Sequence, residues 1–223
     1  MRLGLAAILL LGCSPAPGDE PRESEGSAKI SLSSGVIDTR GPSPEIPEGL
    51  RAGSGAAERY LLVKYTKPIT AAEDAALRRV TARVYAYLPS FAYLVRMPEG
   101  AAIADRVASA GAAWSGVYHP YYKMSRAIKE AGAGDPGAPR SVLVQIYPDA
   151  DLPKTVEAIR ALGVASIPGH KEGSLFSRAR LLLTPAEIAH YRDAIARIPE
   201  VFWIDIEPRR ALLNDTTIWV GQS

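Results

Sequence analysis

Two segments decide how this chain folds: Tyr60-Leu61-Leu62-Val63-Lys64-Tyr65 and, 81 residues later, Ser141-Val142-Leu143-Val144-Gln145-Ile146. Each is an apolar, β-branched and aromatic run of strand length. Each also opens the same succession of elements. After the first, Thr70 and Glu73 make a capping box ahead of the apolar face Ala76, Leu77 and Val80. After the second, Asp151 stands at the N-cap of a helix that carries Val156, Ile159 and Leu162 and stops at Gly163. Two strands follow in each copy. In the first copy they are Val84 to Leu88 and Phe91 to Met97, turning at Pro89-Ser90. In the second they are Val164 to Ile167 and Leu175 to Leu183, joined through Pro168-Gly169-His170-Lys171-Glu172-Gly173.

A second helix comes next in both copies. Ile103 and Val107 share its face in the first copy, with Gly111 at its end. Thr184-Pro185-Ala186-Glu187 supplies N-cap, N1 proline and capping-box Glu in the second, ahead of Ile188, Tyr191, Ile195 and Ile198. Each copy closes on a strand, Trp114 to His119 before Pro120 and Val201 to Glu207 before Pro208. In the last, Phe202, Ile204 and Ile206 are expected inward and Trp203, Asp205 and Glu207 outward. The order β-α-β-β-α-β, twice, predicts an α+β chain of two tandem ferredoxin-like (βαββαβ) units, residues 59–127 and 140–213. Each unit is expected to be a four-stranded antiparallel sheet with two helices on one face. The Gly/Pro-rich stretch 128–139 reads as the linker between them.

Upstream, Arg2 precedes the nine-residue apolar run Leu3 to Leu11, about half of the ~18–20 residues that a spanning helix needs. The run ends Leu10-Leu11-Gly12-Cys13, which resembles a bacterial lipobox. Residues 1–13 are therefore expected to be a lipoprotein signal peptide, and Cys13 the lipidated residue that anchors an exported protein to the bacterial cell envelope. Residues 14–58 hold no Phe, Trp or Tyr and are rich in Pro, Gly, Ser and Glu. They read as a disordered tether, with only a weak strand pattern over Ile30 to Ile37.

The chain carries 26 Lys+Arg against 24 Asp+Glu, a net +2 that excludes a bulk electrostatic affinity for nucleic acid. A single Cys excludes an internal disulfide and a Cys-rich zinc site. The three histidines His119, His170 and His190 stand apart from one another, and no Gly-x-Ser-x-Gly, His-Glu-x-x-His or Walker pattern occurs. The reading is of no catalytic residue, no metal and no cofactor. Ser90-Phe91-Ala92-Tyr93-Leu94-Val95 resembles the aromatic octamer of RNA-recognition motifs, and residues 59–127 hold ten Lys+Arg against four Asp+Glu. The octamer's Gly is Ser90 here and its companion pattern is absent from Tyr60–Tyr65, so no nucleic-acid partner is expected.

The segment Leu183-Thr184-Pro185-Ala186-Glu187-Ile188, with Ile198-Pro199-Glu200-Val201-Phe202-Trp203-Ile204-Asp205-Ile206-Glu207-Pro208 after it, resembles the closing half of a subtilisin propeptide, the inhibitor-type prodomain. Tyr87-Leu88-Pro89-Ser90-Phe91-Ala92 carries a weaker form of the same likeness. Residues 214–223 are similar to the connector that leads into the catalytic domain of some large secreted subtilases. The catalytic Asp-Thr-Gly, His-Gly-Thr and Gly-Thr-Ser blocks are absent. The resemblance implies a module that chaperones or inhibits a subtilisin-like serine peptidase, as the N-terminal part of one or as a separate lipoprotein. The open sheet face would lie on the peptidase, with Asp205 and Glu207 rimming the contact. The tail Arg209-Arg210-Ala211-Leu212-Leu213 would enter the cleft in extended form. The competing expectations are an anchored interaction scaffold and a tandem small-ligand regulatory domain.

Overall fold

A computed structural model describes residues 28–42, 44–53, 59–99, 103–132 and 137–207. The fold is mixed α+β with three antiparallel sheets. A hairpin of β1 (Lys29–Leu32) and β2 (Gly35–Asp38) comes first, then a 3₁₀ turn at Glu48–Leu50. The first unit is β3 (Tyr60–Lys64), α1 (Ala71–Val80), β4 (Arg83–Leu88), β5 (Ala92–Arg96), α2 (Ile103–Ser109) and β6 (Trp114–Val117). A 3₁₀ turn (Pro120–Lys123) and α3 (Arg126–Glu130) lead to the second. That unit is β7 (Arg140–Ile146), α4 (Leu152–Ala161), β8 (Gly169–Lys171), β9 (Ser177–Leu183), α5 (Pro185–Arg197) and β10 (Val201–Ile206).

The four-stranded sheets run β4-β5-β3-β6 and β10-β7-β9-β8. Numbered within each unit, these are one order read from opposite edges. Both capping boxes form: Thr70 accepts from the Glu73 amide while Glu73 accepts from the Thr70 amide, and Thr184 and Glu187 do the same. Those reciprocal bonds hold the Glu73 and Glu187 carboxyls below their ordinary range.

Register shows which residues are equivalent. Leu62 sits between Leu94 and Gly116, and Leu143 sits between Arg180 and Asp205. Lys64 pairs with Ala92 and Trp114, and Gln145 with Arg178 and Trp203. Each unit packs one face of its sheet against its own helices. In the first that face is Leu61, Val63, Val95 and Met97 under Leu77 and Val107. In the second it is Val142, Val144, Ile146, Ala179 and Leu181 under Val156, Ile159, Ile188 and Ile195. The opposite faces differ. All five residues of β3 are buried, as are Ala92, Leu94 and Val95 of β5, so the first sheet is covered on both sides along its two central strands. β9 alternates buried and exposed along its length, so the second sheet keeps one open side.

What covers the first sheet includes residues expected to be tether. Ile30 and Ile37 are paired across the hairpin, 0% and 3% exposed, and share a core with Leu62, Leu94, Ile46 and Leu50. Two isoleucines on one face of a hairpin of two four-residue strands let it dock on that core without an aromatic ring, burying each being worth ~1.5–3 kcal/mol. Residues 28–53 therefore belong to the folded body wherever they are described. The expected linker 128–139 is likewise folded at its start. Ile128 in α3 is fully buried, and Arg192 from α5 donates to the carbonyls of Ile128, Lys129 and Ala131 at the end of that helix.

The second unit departs from expectation in two further places. Its second strand is Gly169–Lys171, inside the expected connection, while Val164 is buried behind α4 and Pro168 has no amide for a ladder. A bulge between Val201 and Trp203 also breaks the expected alternation of the last strand. Val201 and Ile204 fill the core, and Phe202 instead stacks on Phe176 at 4.2 Å.

The units meet through aromatic rings and one ion pair. Tyr147 lies 4.4 Å from Tyr60 and 4.3 Å from Tyr85, centroid to centroid. Arg96 reaches Asp149 at 2.7 Å, and the Tyr85 hydroxyl donates to the same carboxylate. Ser125 N–H donates to Ile204 O beside a parallel bridge from Met124, which closes the outer edge of β10. Lys123 is 2% exposed and donates to the carbonyls of Ile198 and Pro199; burial pushes its pKa down to about 7.

Candidate functional site

The open side of the second sheet is built by the alternation of β7, β9 and β10. With Val142, Val144, Ala179 and Leu181 turned to the core, Leu143, Gln145, Arg178, Arg180 and Leu182 must face out. Their cross-strand partners on β10 are Asp205 beside Leu143 and Trp203 beside Gln145. The face thus carries acids along β10, half-buried Leu143 in the middle and arginines along β9.

Glu207 is held firmly. Its two carboxylate oxygens accept from Arg180 Nε and a terminal guanidinium nitrogen at 2.8 and 3.0 Å, and Oε2 also accepts from Ser141 Oγ at 2.8 Å. Its amide donates to Ser141 O, which extends the ladder by one residue beyond β10. Asp205 accepts its neighbour's amide, from Ile206, at 2.8 Å and forms no salt bridge among the described residues. Leu182 is 44% exposed, a large apolar side chain on an otherwise charged row.

At the end where β10 begins, the face runs into a cavity of about 360 Å³. Leu32 of the hairpin, Leu88 and Leu94 of the first sheet, and Phe202 and Trp203 of the second line it, with Gln145 as a polar wall. Tyr118 stands behind these rings at 6.4 Å from Phe202, and its hydroxyl donates to Phe202 O. Complete burial raises the Tyr118 pKa, so this ring stays neutral.

The structure brings Asp205 and Glu207 onto this one face, as the alternation of the last strand implied. Cys13 and the tail Arg209, Arg210, Ala211, Leu212 and Leu213 lie outside the described residues. Sequence reasoning missed Arg178, Arg180 and Leu182. The signal was present in Ser177-Arg178-Ala179-Arg180-Leu181-Leu182-Leu183, where arginines alternate with apolar residues at the strand period.

The histidines are dispersed: His170 is exposed on β8, His190 is exposed on α5, and His119 accepts a hydrogen bond from the Ala52 amide. Among the described residues no group of three or more His, Cys, Asp or Glu is placed to hold a metal ion, and no helix is long and apolar enough to cross a membrane.

A family model described as a domain of unknown function (DUF8729) matches residues 31–119. The match begins inside β1 and ends at His119, so it takes most of the hairpin together with the first four-stranded unit. Neither the curated proteins nor the solved structures provide a match.

Proposed function

We propose that this chain is a protein-binding module of the inhibitor-type prodomain kind. It docks the open side of its second sheet on a subtilisin-like serine peptidase. The observation that carries the reading is the asymmetry between the sheets: the second keeps an uncovered side, with Asp205 and Glu207 opposite Arg178 and Arg180 around Leu143. A face of this kind offers a small apolar centre for burial and charges at its rim for orientation. The shared strand order of the two sheets supports reading both units as ferredoxin-like. In this proposal Arg209 to Leu213 continue from the end of β10 into the substrate cleft, and Cys13 carries the lipid that holds the protein at the membrane.

The test is tight-binding inhibition kinetics of the whole chain against purified bacterial subtilisins. Slow, stoichiometric inhibition is expected. Leu143→Asp and Arg180→Glu should each weaken it by about tenfold or more, roughly 1.4 kcal/mol, while each variant still unfolds in one cooperative transition, lowered by only a few degrees. Absence of inhibition at micromolar excess across the panel would leave an interaction scaffold without a protease link. Cys13→Ser should abolish incorporation of a labelled fatty acid in bacterial cells, and incorporation that persists would place the lipid elsewhere.

A further inference from the structure

Residues 44–53, between the hairpin and β3, lie across the joint between the two units. Ile46 and Leu50 bury their side chains, and Gly49 O accepts from Arg197 Nε at 2.7 Å. The Ala52 amide donates to His119 Nδ1 at 3.0 Å. His119 in turn is fixed by the 3₁₀ turn after β6, where its carbonyl accepts from the Tyr122 amide and its ring sits 5.9 Å from the Tyr122 ring.

An imidazole that accepts at Nδ1 is neutral and carries its proton on Nε2. A second proton has no place to go except Nδ1, and there it ejects the Ala52 N–H. We propose that His119 is a pH-operated latch: protonation at Nδ1 breaks the bond to Ala52 and loosens residues 44–53 from the joint between the units. This goes beyond the docking proposal and does not depend on it.

The charge that acts on the ring favours opening once it is protonated, and the other charged groups of the neighbouring elements are cations as well. Arg51 comes from the latched segment itself. Arg197 reaches the same segment from α5, and Lys123 follows on the 3₁₀ turn with its amine on the Ile198 and Pro199 carbonyls. Burial first, then the Arg51 charge, hold the His119 pKa below its ordinary value. The sign follows from linkage. The bond's contribution is complete above the ordinary histidine range and is lost as pH falls from there towards the lowered folded-state value.

Amide exchange and ring titration by NMR on the whole chain test this. Protection of the Ala52 amide, corrected for intrinsic exchange, should fall about fivefold or more between pH 7 and pH 5, with the midpoint of the His119 ring. His119→Asn places an amide oxygen where Nδ1 was and cannot be protonated, so Ala52 should stay protected at both pH values. His119→Phe should leave it unprotected at both. An Ala52 amide that keeps its protection through the His119 titration, or that loses it with an unchanged midpoint in His119→Asn, overturns the latch.

Discussion

The two four-stranded sheets share one strand order but meet opposite fates on the side away from their helices. In the first, the equivalent positions are Leu62, Leu94, Ala92 and Gly116; the first three are buried and Gly116, on the edge strand, is half-buried. In the second they are Leu143, Arg180, Arg178 and Asp205, and that side stays open. Strand order follows from connectivity and turn chemistry, which the copies share. Coverage follows from the desolvation cost at a handful of outward positions. Burying two arginines and an aspartate would cost several kcal/mol per ion unless each were paired, whereas burying Leu94 and Ala92 is favourable. The comparison separates a side used to build the body from a side available to a partner.

Truncating the equivalent leucines should separate the two sheets most. Leu62→Ala should cost ~2–5 kcal/mol, because Leu62 is fully buried between two layers. Leu143→Ala should cost roughly 1 kcal/mol or less, since Leu143 is only half-buried. Urea denaturation of both variants measures the gap, and equal losses would mean that the second side is covered after all. Ile30→Ala should cost nearly as much as Leu62→Ala, about 2–4 kcal/mol, if the hairpin is one of the layers that seal the first sheet. A loss below about 0.5 kcal/mol in the same titration would return residues 28–53 to the role of a tether.

Lys123, buried between the 3₁₀ turn and the start of β10, makes stability depend on pH. Burial makes its charged form unfavourable in the folded state, with a pKa of about 7 against the ordinary lysine value near 10.4 in the unfolded chain. Between those values the unfolded chain binds more protons, so stability should rise with pH from about 7 upward at roughly 1 kcal/mol per pH unit. Above about pH 9.5 the rise should be offset, because the buried tyrosines Tyr118 and Tyr147 have raised pKa values and unfolding lets them ionise. Denaturant midpoints from pH 7 to pH 8 should climb in the native chain and stay nearly flat in Lys123→Met; above pH 8 the variant should climb too, because burial also pushes the Lys129 pKa down to about 8. The smallest effect belongs to the open side. Arg180→Ala removes an ion pair whose members are 53% and 30% exposed and should lower stability by less than about 1 kcal/mol, while weakening any docking on that face.

Much of the fold was legible because its signals are local. Both capping boxes, the Asp151 cap and the apolar runs that open β3 and β7 are each patterns within a few residues. The failures share a cause as well. Ile30, Ile37 and Ile128 sit in polar, Gly- or Ser-rich surroundings, and only distant partners give them a core. The site divides the same way. Asp205 and Glu207 follow from alternation alone, whereas the bond of Glu207 to Arg180, across 27 residues, and of Ala52 to His119, across 67, do not.

Which residues turn outward along most of each strand follows from the sequence, because a period of two along the backbone fixes side-chain direction, whereas the bulge that takes Phe202 out of the core does not. Only the tertiary structure decided what those outward residues meet. The hairpin and the second unit close over the first sheet, and among the described residues the outer side of the second sheet is left open. That outcome depends on which apolar surfaces, far apart in the chain, gain most by leaving water together, and no window along the sequence contains both partners.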